Sequence, residues 1–139
     1  MDSKILEVLQ DWCGKNPDCG DYNKAWGKCL VSSIDLATLL DEYAVVEFIR
    51  VTGNEYTGRE HWALLLDDEF VVDATARQFR ATDPFPIVKP LFDWLDDCCE
   101  WLVDGVDYAV FSSHLDDEPR MIETWIREDI LPGEMLMLV

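Results

Sequence analysis

Apolar residues open the chain at helical spacing. Ile5, Leu6, Leu9 and Trp12 share a face behind Asp2 or Ser3 as a cap, which predicts a helix to about Trp12. Gly14–Tyr22 is crowded with turn formers and reads as a loop. Between about Lys28 and Tyr43 the spacing of Leu30, Ile34, Ala37 and Leu40 is again helical. The pattern then changes to β-branched runs. Ala44–Val51 and His61–Leu66 read as strands around a polar loop, and Glu69–Ala74 returns as a third strand after a tight Asp67–Asp68 turn. The proline-bearing stretch 83–90 reads as a loop. Leu91–Val103 predicts a helix with Leu91, Leu95, Cys98 and Leu102 inside, and Asp93, Asp97, Glu100 and Asp104 on another side. Val106–Phe111 predicts one more strand. Asp116–Asp129, with Pro119 in its first turn and Met121, Ile122, Trp125 and Ile126 as its apolar set, predicts a last helix. The apolar ending EMLMLV is expected to pack or to pair as an edge strand.

These elements add up to one α+β domain over residues 1–139: early helices, a small antiparallel sheet and further helices after it. With 49% hydrophobic and 12% aromatic residues, a packed core is affordable and a disordered or low-complexity chain is excluded. No apolar run approaches the roughly 20 residues that cross a bilayer, and the first residues lack a basic stretch followed by an apolar one. The expectation is a soluble, cytoplasmic protein without membrane contact.

Charge narrows the partners. The formal net charge of −18, from 29 acidic and 11 basic residues, repels nucleic-acid phosphates, so direct nucleic-acid binding is not expected. The excess is uneven: residues 91–139 carry 13 acidic and 2 basic side chains, an acidic C-terminal extension. It fits a solubilising surface, attraction to a basic protein partner, or mimicry of nucleic-acid charge. Five cysteines are an odd number without a Cys-x-x-Cys pair, a poor pattern for a disulfide framework or a zinc site. Cys13, Cys19, Cys98 and Cys99 read mainly as reduced core thiols. No metal or cofactor is expected.

The fifth, Cys29, is different. It follows Trp26-Gly27-Lys28 at the predicted start of the long helix, where the positive end of the helix favours a thiolate. The hairpin supplies possible partners. His61 opens one strand and Asp73 closes the next, so a turn at Asp67–Asp68 brings imidazole and carboxylate to one end of the sheet. Such a carboxylate accepts the ring N–H and fixes the tautomer, leaving the other nitrogen for a thiol. Cys29, His61 and Asp73 are the candidate nucleophile, base and orienting acid.

A Cys at a helix start, a His-Trp strand and a strand ending Asp-Ala-Thr (GKCLVSS…EHWALLL…VVDATARQF) resemble the transglutaminase-like/papain-like cysteine superfamily. Over about residues 23–80 the chain is also similar to papain-fold domains of polymorphic toxins and their phage relatives. The order Cys, His, Asp agrees, with separations of 32 and 12 residues. The resemblance implies a nucleophile helix packed on an antiparallel sheet and chemistry on amide or acyl groups through a thioester. Members carry a Gln six residues before the Cys; Asn23 holds that position here and is the implied oxyanion donor, with the Cys29 backbone N–H an equal candidate. Trp26, Trp62 and Gln78 are candidates to line a substrate groove. Ser32 and Ser33 are expected to cap backbone groups, and His114 to lie on the surface.

Two functions follow. One is a cysteine hydrolase or acyltransferase, whether peptidase, glutamine deamidase or transglutaminase, acting on a protein or peptide, with a basic one favoured by the charge. The other is an acidic, non-enzymatic inhibitor, nucleic-acid mimic or interaction module on an inherited hydrolase fold.

Overall fold

The computed structural model describes residues 1–53, 59–102, 105–112 and 117–126. Helix α1 (Ser3–Lys15) starts on the Asp2 side chain, which accepts from the Lys4 N–H at 2.9 Å. It buries Ile5, Leu9, Trp12 and Cys13; Leu6 is turned outward. A 3-10 turn at Pro17–Gly20 lies inside the expected loop and buries Cys19. Helix α2 (Cys29–Leu40) begins at the expected place, but its inner face is Ser32, Ser33, Leu36 and Leu40, while Ile34 is exposed. Apolar residues surround this helix, so their spacing alone could not fix its rotation. Burying two serines is tolerable because both hydroxyls donate to the Cys29 carbonyl, at 3.2 and 2.7 Å.

Six strands follow as one sheet: β1 (Val46–Gly53), β2 (Glu60–Leu66), β3 (Phe70–Asp73), β4 (Ile87–Pro90), β5 (Gly105–Phe111) and β6 (Met121–Ile126). Their order is β4-β3-β2-β1-β5-β6, and every neighbouring pair is antiparallel. Helix α3 (Leu91–Leu102) sits between β4 and β5 in the chain. Strand alternation splits the core in two. Phe48, Leu64, Leu66 and Val72 face α1 and α2, whereas Ile49, Val51, Ala63, Leu65 and Val71 face α3. The turn between β2 and β3 is the expected two-residue one, with Asp67 at φ 51° and Asp68 at φ 58°, the left-handed pair that matches hairpin twist.

Two expectations are corrected. Residues 87–90 are not loop but β4, paired with β3 from Phe70↔Pro90 to Asp73↔Ile87. An edge strand tolerates the prolines that suggested a loop. The expected last helix over Asp116–Asp129 is strand β6 across Met121–Ile126, so the C-terminal helices reduce to α3 among the described residues. Met121 and Trp125 satisfy both a helical and an alternating period, being four residues apart. Pairing with β5 decides the case: Met121 and Trp125 pack on the α3 core, Glu123 accepts from the Tyr108 hydroxyl at 2.7 Å, and Ile122 is left outside. The ending EMLMLV, His114 and Asp104 lie outside the described residues. On α3, Asp93 and Glu100 are exposed as expected, but Asp97 is half-buried between Lys89 and Arg80, which also binds Glu100. No helix of the described residues is long and apolar enough to cross a membrane.

Candidate active site

The ladder between β3 and β2 runs only over Leu64–Leu66, because β3 ends at Asp73. Beyond it the edge of β2 at His61 and Trp62 is open on that side, and the first turn of α2 fills the gap. The Cys29 sulfur meets the Trp62 backbone N–H and the His61 ring there. On the α3 side of the sheet His61 is fully buried, and its Nε2 lies 2.7 Å from Asp73 Oδ2. Asp73 is anchored by two further donors: the Trp94 indole N–H reaches Oδ2 at 3.0 Å, and the Thr75 backbone N–H reaches Oδ1 at 3.0 Å. Asp73 therefore holds Nε2, and the Nδ1 side of the ring is left for Cys29.

Aromatic rings close the remaining sides of the imidazole. Phe79 meets it edge-on at 5.0 Å between centroids, and Trp94 and Trp101 both stand at 6.1 Å. Phe79 is stacked on Trp101 at 4.9 Å, and the half-exposed Trp26 meets Phe79 edge-on at 6.1 Å. The wall thus runs from the surface beside Cys29 to the buried ring. Water is kept from the ring, while Cys29 stays partly exposed, so the imidazole's charge acts at low dielectric.

Those charges set the protonation states. Burial pushes the Cys29 thiol up, but the hydrogen bond and charge of His61, aided by the Trp62 N–H, outweigh it and bring the thiol below its ordinary value. Burial works to lower His61; the charge and hydrogen bond of Asp73, with help from Cys29, overcome it and raise the ring to about 9. Three other thiols show the opposite. Burial pushes Cys13 up to about 11, and raises Cys19 and Cys98 as well. A thiolate–imidazolium pair is the state that the surroundings favour.

The pair has a signature in stability. The raised His61 contributes stability that is complete below pH 6.5 and fades as pH rises through about 9. The lowered Cys29 contributes stability that is complete above pH 9.0 and fades as pH falls through its folded value. The two slopes are opposite, so the contributions offset each other in the wild-type protein wherever the windows overlap. In Cys29→Ala only the His61 contribution survives, and stability should fall with pH by up to about 1.4 kcal/mol per unit. Urea unfolding at pH 6.5 and 8.5 reads the difference. A variant no steeper than the wild type would show that Asp73 alone does not keep the ring charged.

The remaining sequence candidates separate. Gln78 is buried, and its side-chain amide nitrogen lies 3.2 Å from His61 Nδ1 and 3.3 Å from Thr75 Oγ1, so it belongs to the framework around the ring. The Trp62 ring is turned to the opposite face from His61, against Phe111 at 5.4 Å and beneath the Arg50 guanidinium. Only its main chain serves Cys29. Asn23 is exposed on the loop before α2, where its backbone N–H donates to Asp21. Trp94, Phe79 and Trp101 were not singled out in the sequence. Trp94 was within reach of it, since it stands three residues after Leu91 and four before Cys98 on the face that the helical period buries.

No protein-family model matches the chain, and neither a curated protein nor a solved structure shows significant similarity to it.

Proposed function

We propose that the protein is a thiol-dependent, amide-processing enzyme of the papain/transglutaminase type, a cysteine hydrolase or acyltransferase. The observation that carries this reading is the continuous line Asp73–His61–Cys29, with the ring buried between an acid and a thiol at a helix start. The Cys29 thiolate attacks the carbonyl carbon of an amide, and the charge gathers on the carbonyl oxygen. Cys29's own N–H is one donor for it: no side chain caps the start of α2, and no acid stands in the first turn. Asn23 is the candidate for a second donor. His61 gives its Nδ1 proton to the departing nitrogen, the C–N bond breaks and a thioester remains. The neutral ring then takes a proton from water or an amine attacking the thioester, and the thiolate leaves. Water gives hydrolysis or deamidation; an amine gives crosslinking. Half-exposed Trp26 borders this site, and the net charge of −18 favours a basic protein or peptide as substrate.

An activated ester tests the nucleophile without knowledge of the substrate. p-Nitrophenyl acetate should give a stoichiometric burst of nitrophenolate and an acetyl group on Cys29, sensitive to hydroxylamine and absent in Cys29→Ala. Acetylation scattered over lysines, with no burst, would sink the enzyme and favour the acidic interaction module.

A further inference from the structure

Two partners face the thiol-side nitrogen of His61. One is Cys29; the other is Gln78, whose amide nitrogen is 3.2 Å from Nδ1. Gln78 is held there. It is 4% exposed, it sits in the short 3-10 turn Ala76–Gln78 directly after the Asp73–Thr75 turn, and the same amide nitrogen reaches Thr75 Oγ1 at 3.3 Å. The turn is itself fastened to the site, since Thr75 donates its backbone N–H to Asp73. An amide N–H pointed at Nδ1 needs a lone pair, which only the neutral ring protonated on Nε2 presents.

We infer that Gln78 is a positioning residue: its amide N–H, set against Nδ1, orients the His61 ring and biases it toward the neutral, Nε2-protonated form. This rests on the proposed catalytic reading and deepens it. In the second half of the reaction Nδ1 must be unprotonated to accept the proton of the attacking water or amine. Gln78 favours that state and keeps the ring in plane after the proton has left for the leaving group. The charged groups acting on the ring are Asp73 from β3 and Cys29 from α2; α3 contributes the rings of Trp94 and Trp101 and, next to Asp73, the Cys98 thiol. Asp73 and Cys29 both push the ring toward the charged form, and Gln78 restrains it.

The test is the titration of His61 followed by imidazole carbon and nitrogen NMR, tractable because the chain has two histidines. A donor to the neutral ring lowers the pH at which imidazolium loses its proton. Gln78→Met keeps the length and removes the donor, so the midpoint should rise by about 0.5–1 pH unit. Gln78→Glu places an acceptor against the charged ring and should raise it further. In the unaltered protein, Nδ1 above the midpoint should show the nitrogen shift of an unprotonated nitrogen accepting a hydrogen bond, which needs no variant to fold. A midpoint unchanged or lowered in Gln78→Met would overturn the inference, because the amide would then be idle or would present its oxygen to an Nδ1 proton. Alkylation of Cys29 separates the two claims. Selective labelling that depends on His61, with no titration shift in the Gln78 variants, removes the role of Gln78 alone. Labelling indifferent to His61 removes the catalytic reading, whatever the titration shows.

Discussion

Iodoacetamide at pH 6 should label Cys29 ahead of the other thiols, and His61→Ala should slow that labelling by about tenfold or more. The thiolate is the reacting species, and at this pH an ordinary cysteine is almost wholly protonated. Cys29 differs in being partly exposed and in lying against a ring that is charged when the sulfur is charged, a ring itself enclosed by Phe79, Trp94 and Trp101. Removing the ring leaves the burial that raises the thiol and takes away the charge that lowers it. Cys13, Cys19 and Cys98 are buried and pushed up, so they should stay slow in both proteins. Peptide mapping after short labelling reads the rates site by site, and a melting curve shows that the variant is folded. Even labelling of several cysteines, unaffected by His61→Ala, would refute the activated thiol.

Asp73→Ala should cost about 3–5 kcal/mol of folding stability at pH 7, more than an ordinary surface change by several-fold. The carboxylate is buried and takes donors from three directions: His61 Nε2, the Trp94 indole and the Thr75 backbone. Alanine would leave all three without an acceptor in a dry place, and the penalty for unpaired buried donors exceeds the net worth of each bond when made. Asp73→Asn keeps the volume and one acceptor oxygen, and should lose less. Urea unfolding of both variants gives the comparison. A loss below about 1 kcal/mol in Asp73→Ala would mean that water reaches these donors and that the pocket around His61 and Asp73 is open in solution. In a folded Asp73→Ala protein, Cys29 labelling should slow less than in His61→Ala, since the acid supports the ring and the ring supports the thiolate.

One charged feature changes meaning in three dimensions. As a sequence, the region after residue 91 looks like a continuous acidic surface. In the fold, Arg80 and Lys89 reach across from the β3–β4 side to Asp97, and Arg80 also to Glu100. Arg120 similarly binds Glu47 and Asp68, tying β6 to β1 and to the β2–β3 turn. Part of the acidity thus fastens elements together, and the acidic surface left unpaired is smaller than the charge count suggests.

What the sequence determined by itself was local. A capped amphipathic run made α1, β-branched runs made β1, β2 and β3, and the Asp-Asp pair made a two-residue turn; each follows from near neighbours in the chain. The same logic brought His61 and Asp73 together, because a hairpin with a known turn fixes which residues share its end. Tertiary structure decided the rest. It turned α2 so that Ser32 and Ser33 face inward, a choice that residues apolar on nearly every side could not make. It drew 87–90 and 121–126 into strands, since the open edges of β3 and β5 offered hydrogen bonds that no local period encodes. It also brought Trp94 from α3 to Asp73 and Gln78 to His61, over 21 and 17 residues. Periodicity names the face that a helix buries, but only the packing of α3 across the sheet says which buried side chain meets the carboxylate.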